Sequence, residues 1–127
     1  MPPQYFTLNE ANETIKLVRP LMAELLKRHA RIISCRPYLI GVLQDLHSNT
    51  GSTLATTVAQ DFLVMERLIE QIKAYGCVIK DINVGLVDFL TERNGREVYL
   101  CWRYGEDHIT TYHELHHGFN DRRPIED

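Results

Sequence analysis

Apolar residues recur at three- and four-residue intervals at Ile15, Val18, Met22, Leu25 and Ile32, with His29 in the same series. That spacing gathers them on one side of a helix. Just ahead of it, Thr7-Leu8-Asn9-Glu10 has the capping-box pattern, in which the hydroxyl and the carboxylate each satisfy a free amide of the first turn. Pro20 lacks an N–H and crowds the preceding turn, so a kink is expected there. The stripe resumes at Leu39, Leu43 and Leu46 after an interruption at Arg36-Pro37, where a second bend or a break is expected. Residues 47–52, HSNTGS, read as a turn. A second stripe follows at Leu54, Val58, Phe62, Met65, Ile69 and Ile72, and Gly76 ends it as a C-terminal capping glycine. The two stripes predict a long, kinked antiparallel helical hairpin over residues 8–76.

The two arms differ in length. Residues 8–47 as helix would span about 60 Å and residues 53–75 about 35 Å, at 1.5 Å rise per residue. Either the first arm folds back at Pro37 or its apolar overhang packs on another chain, and a homodimer built on the helices is the expected outcome.

After Gly76 the period changes to two. Asn94-Gly95, between LVDFLTER and REVYLCWRYG, is a two-residue hairpin signal because both positions must accept positive φ. Gly105-Glu106-Asp107-His108 reads as a second turn. The expectation is a three-stranded antiparallel meander within residues 78–115, with strands near 82–92, 97–104 and 109–115, packed on the helices in an α+β fold. Residues 116–127 are left as a C-terminal tail of this single domain. The first turn pairs Phe89 with Leu100 and Val87 with Trp102; a two-residue second turn at Glu106-Asp107 pairs Tyr104 with Ile109 and Trp102 with Thr111. On that register Val87, Phe89, Val98, Leu100, Trp102, Tyr104, Ile109, Thr111 and His113 face the helices. Leu86, Asp88, Leu90, Tyr99, Cys101, Arg103, Thr110, Tyr112 and Glu114 form the opposite, more polar face.

Composition removes several classes. The 127 residues carry a net charge of −3, whereas a nucleic-acid or anionic-membrane binder is normally basic. No run approaches the ~20 apolar residues of a membrane span, and the N-terminus has no signal-peptide pattern, so a cytoplasmic protein is expected. Cys35, Cys77 and Cys101 are odd in number and show no C-x-x-C spacing, which predicts reduced thiols. Arg19, Lys27, Arg28, His29, Arg31 and Arg36 make the first helix locally basic and are expected to be its solvated face.

One stretch carries candidate chemistry. His113-Glu114-Leu115-His116-His117 spells H-E-x-x-H, which binds zinc only on a helix, where residues i and i+4 share a side. The β-branched run Ile109-Thr110-Thr111 ahead of it favours strand, on which His113 and His117 would stand ~13 Å apart. A third ligand at a familiar spacing is missing as well, so neither a metal nor a cofactor is expected. A looser zinc or nickel cluster from His108, His113, Glu114, His116 and His117 is the alternative.

YFTLNEAN (5–12), GLVDF (85–89), GREVYLCWRYGE (95–106) and YHELHHGFNDRRPI (112–125) together resemble the bacterial family known as domain of unknown function 2203. The resemblance implies that a tryptophan like Trp102, a His-Glu pair like His113-Glu114 and a Gly-Phe pair like Gly118-Phe119 are family features. It also implies that His116 and His117 stand where acidic or small residues are common, which makes the H-E-x-x-H a coincidence of this chain. The family brings no established activity. The reading is therefore a non-enzymatic homodimeric interaction or binding protein with no nucleic-acid or membrane partner. The alternative is a ligand- or metal-binding protein or enzyme using Asp88, Arg103, Tyr112, His113, Glu114 and Arg122 on the polar sheet face and around His113-Glu114.

Overall fold

A computed structural model describes residues 3–38 and 53–126. Helix α1 (Leu8–Cys35) begins at the expected capping box: Glu10 N–H donates to Thr7 Oγ1 at 3.1 Å and Thr7 N–H to Glu10 Oε1 at 2.8 Å. It runs through Pro20 and ends in a single 3-10 turn, Arg36–Tyr38. The expected continuation through Leu39, Leu43 and Leu46, and the turn at 47–52, lie outside the described residues. Helix α2 spans Thr53–Lys73, and Gly76 closes it with φ +95°.

On α1 the expected stripe is buried at Ile15, Val18, Met22 and Leu25. On α2 the buried positions are Val58, Asp61, Met65, Leu68 and Ile72, which corrects the expectation for Phe62, found 56% exposed. The reason is electrostatic. Asp61, 1% exposed, accepts hydrogen bonds from Arg31 Nη2 at 2.6 Å, Arg31 Nε at 2.9 Å and Arg28 Nη1 at 2.9 Å. Hydrogen bonds from Arg31, with Arg28 adding to them, outweigh burial and hold the Asp61 carboxyl below the usual carboxylate range. Two of the cations expected on a solvated face therefore fix how α2 is rotated against α1.

Among the described residues the sheet has five antiparallel strands, not three, in the order β1-β2-β3-β4-β5. They are β1 (Val78–Asp81), β2 (Leu86–Arg93), β3 (Arg96–Arg103), β4 (Thr111–Glu114) and β5 (Arg123–Pro124). The expected tail thus carries a short edge strand and a 3-10 turn at Phe119–Asp121. The first hairpin has the expected register, Phe89 against Leu100 and Val87 against Trp102, with Asn94 and Gly95 at φ 55° and 80°. Those residues, with Val98, Ile109 and Tyr112, join Ile15, Val18, Met22, Leu25, Met65, Leu68 and Ile72 in one core.

The second connection differs by one residue. β4 pairs with β3 as Val98–Glu114, Tyr99–His113, Leu100–Tyr112 and Cys101–Thr111. A slip of one residue sends every β4 side chain to the other face. Tyr112 accordingly joins the core and His113 leaves it. The cause lies in residues 104–110, a longer loop pinned by two α1 residues and by Trp102 of β3. Asn12 Oδ1 accepts the Ile109 N–H at 2.8 Å, Arg19 Nη2 donates to Asp107 O at 2.7 Å, and the Trp102 indole donates to Glu106 O at 2.9 Å.

Candidate functional site

The face of the sheet turned away from the helices holds a closed polar cluster. Asp88 and Cys101 are direct partners across β2 and β3, and His113 on β4 is the diagonal neighbour of Cys101, opposite Tyr99. Asp88 and Cys101 are 0% exposed and His113 is 1% exposed. One carboxylate oxygen of Asp88, the Cys101 thiol and a ring nitrogen of His113 all lie within 4.8 Å of one another.

Hydrogen-bond geometry fixes the protons. His113 Nδ1 is 2.8 Å from the carbonyl oxygen of Glu114, which can only accept, so Nδ1 carries a hydrogen. His113 Nε2 is 2.9 Å from Asp88 Oδ2, and a second proton must lie between them, on the ring or on the carboxyl. Asp88 Oδ1 is buried with no hydrogen bond of ordinary geometry among the described residues, and the Cys101 thiol lies against the carboxylate. Burial raises the Asp88 carboxyl above its ordinary value, against the opposing influence of His113. Burial also pushes the Cys101 thiol up to about 12; the Asp88 charge adds to this and Arg122 opposes it. A buried thiol of that kind is neutral at physiological pH and is not a nucleophile.

The cover comes from the C-terminal segment. Arg122 lies against Cys101 and donates to Glu106 through both terminal nitrogens, at 3.1 and 3.0 Å. Its guanidinium stacks over Phe119 at 4.3 Å, and Arg103 lies over the same ring at 5.4 Å. Tyr99 packs 5.7 Å from the His113 ring and carries Lys80 over its own face at 4.9 Å.

The residues picked from the sequence therefore separate. Asp88, His113 and Arg122 come together; Arg103 reaches the group indirectly, its side chain over Phe119 and its main-chain N–H on Glu106 Oε1 at 2.7 Å. Tyr112 is a core residue stacked under Arg93 at 4.6 Å. Glu114, expected beside Tyr99 and Arg103 on the polar face, lies in the register of Val98 and pairs with Arg96 at 2.7 Å. Asp88, Arg103 and Glu114, which the expected register places on one face, do not meet, because the register shift puts Glu114 on the other side. Both His113 and Glu114 belong to β4, which ends at Glu114, so the H-E-x-x-H is not helical and His116 and His117 stay exposed. The member that sequence reasoning passed over is Cys101. The Asn94-Gly95 hairpin already set it opposite Asp88, and only the missing His113 hid the group.

Glu114→Ala is expected to change stability by less than about 1 kcal/mol, because its half-buried carboxylate pairs with an exposed partner, Arg96. Urea unfolding of the variant measures this, and a loss of several kcal/mol would refute the assignment.

The model of a family described as an uncharacterized conserved protein, DUF2203, matches residues 4–125. None of the curated proteins and none of the solved structures compared with the chain matches it.

Proposed function

The chain belongs to the DUF2203 family, and we propose that it is a non-enzymatic interaction protein that pairs with a second copy through the outer side of its two helices. The observation that carries this reading is the apolar surface the helices leave uncovered. Leu17 on α1 is 53% exposed, and Phe62 and Leu63 on α2 are 56% and 57% exposed. Between the helices, Leu21, Gln71, Ala74 and Tyr75 line a shallow depression. Exposed apolar side chains on both helices, with polar residues around them, support a contact surface there. The rim suits a two-fold contact between identical surfaces, since it carries both signs of charge in the pairs Lys16–Glu13 and Lys73–Glu70.

The sheet supports a scaffold more than a catalyst. Its reactive groups are sealed from solvent, and the Cys101 thiol is held neutral. Among the described residues no helix is long and apolar enough to cross a membrane.

Light scattering at micromolar concentration tests the pairing. The expected result is a mass of two chains, reduced to one in a Leu17→Glu, Leu63→Glu double variant that keeps its helical circular dichroism. A wild-type monomer would overturn the reading.

A further inference from the structure

We infer that Asp88, Cys101 and His113 form a binding site for a single divalent ion of the late first transition row, with zinc the best match. This inference does not depend on the helix-mediated pairing. It rests on geometry that the register of β4 creates.

His113 is set in the form a metal needs. Its Nδ1–H is spent on the Glu114 carbonyl at 2.8 Å, which turns Nε2 toward Asp88 and Cys101. Metal-binding histidines are commonly oriented in this way, one nitrogen held by a carbonyl and the other on the ion. The carboxylate has a free coordination position as well. Asp88 Oδ1 is fully buried and has no hydrogen bond of ordinary geometry among the described residues; the Cys101 thiol beside the carboxylate, a weak donor, leaves it short of what a buried acceptor normally finds. A cation held through both oxygens of the carboxylate satisfies it.

The distances fit a small ion after slight movement. Zinc bonds of 2.0–2.3 Å in a tetrahedral arrangement place pairs of ligand atoms about 3.4–3.6 Å apart. The Nε2–Oδ2 separation of 2.9 Å would open by about half an ångström, and the thiol, now within 4.8 Å, would close toward the ion. One nitrogen, one oxygen and one sulfur are a donor set for zinc or cobalt, not for calcium or magnesium, which take oxygen alone.

Charge and protons balance. Binding displaces the proton held between Nε2 and Oδ2 and the thiol proton, so about two protons leave as one divalent ion enters. The aspartate and the thiolate then neutralise the ion. Arg122 is compatible with it because Glu106 already pairs with the guanidinium at 3.0 and 3.1 Å.

The exposed His108, His116 and His117 are the competing site, and the experiment separates the two. Full-length, metal-stripped protein is given zinc or cobalt chloride both in the native state and during refolding from urea, so that the Phe119–Arg122 cover does not hide the site. The expected result is one ion per chain, release of about two protons per ion and a higher melting temperature. Cobalt is expected to produce a thiolate-to-metal charge-transfer band. That band needs no variant of the site to be read, and Cys35→Ser should leave it in place. Cys101→Ser and Asp88→Asn should each weaken binding by about a hundredfold or more, Cys101→Ser also removing the band. A His116→Ala, His117→Ala double variant should bind as the wild type does. Absence of stoichiometric binding, a cobalt complex without the band, or binding lost only in the double variant would each overturn the inference.

Discussion

Replacing His113 by alanine is expected to cost about 3–5 kcal/mol in folding stability, the effect of removing one partner from a buried pair and leaving the other without compensation. In this protein the residue left behind is Asp88, 0% exposed, whose Oδ1 has no hydrogen bond of ordinary geometry among the described residues. Without His113, both carboxylate oxygens would be buried without the ring nitrogen now 2.9 Å from Oδ2. The pH dependence of the loss identifies its cause. Burial already raises the Asp88 carboxyl above the usual carboxylate range, and removing the ring takes away the influence that opposes the rise. The folded variant would then keep a proton on Asp88 that the unfolded chain releases. A group raised in this way binds more protons folded than unfolded, so its contribution worsens as pH climbs above the unfolded value. The difference between wild type and variant should accordingly grow as pH climbs above the usual carboxylate range. Urea unfolding at several pH values measures it. A loss below about 1 kcal/mol, or a loss independent of pH, would mean that the pair is not the buried contact described.

Gly85→Ala is expected to cost about 3 kcal/mol, the sum of backbone strain and a collision. Gly85, at the head of GLVDF, has φ +71° and is buried where β2 begins beside Tyr104. An added Cβ would meet Tyr104 Cβ at 2.7 Å and Leu26 Cδ1 and Met22 Cγ at 3.2 Å each. The first contact is with an atom bonded directly to the backbone, which cannot swing aside. Its neighbour Tyr104 donates its N–H to the Gly85 carbonyl at 2.9 Å, so the two chains cannot separate without losing that bond. Gly105 supplies the comparison. It has φ +103° but nothing within 4 Å of an added Cβ, so Gly105→Ala should show the conformational cost alone, about 1 kcal/mol. Equal losses in the two variants would show that close packing at Gly85 contributes nothing.

Much of this architecture was legible locally. The capping box of α1, its buried stripe at Ile15, Val18, Met22 and Leu25, and the Asn94-Gly95 turn each depend on residues within a few positions of one another. The turn sets the register of β2 against β3, so the sequence by itself determined that Asp88 faces Cys101 and that Trp102 lies in the core. Short-range hydrogen bonds, helical periodicity and positive-φ turns are properties of the local chain, and they survive unchanged into the fold.

Two features were decided only by contacts between distant residues. Helix α2 is rotated by a charge: Asp61, polar in any reading of its stripe, is buried because Arg28 and Arg31 approach from α1, and Phe62 is left outside. The loop from Tyr104 to Thr110 is shaped by Asn12 and Arg19, which lie about ninety positions away in the chain. A loop of that kind has no two-residue turn to set its length, so the pairing of β4 is fixed by what grips the loop from α1. The resulting shift of one residue moved Tyr112 into the core and carried His113 to Asp88 and Cys101. Strand alternation allows only two faces, and which one His113 occupies depended on that single tertiary choice.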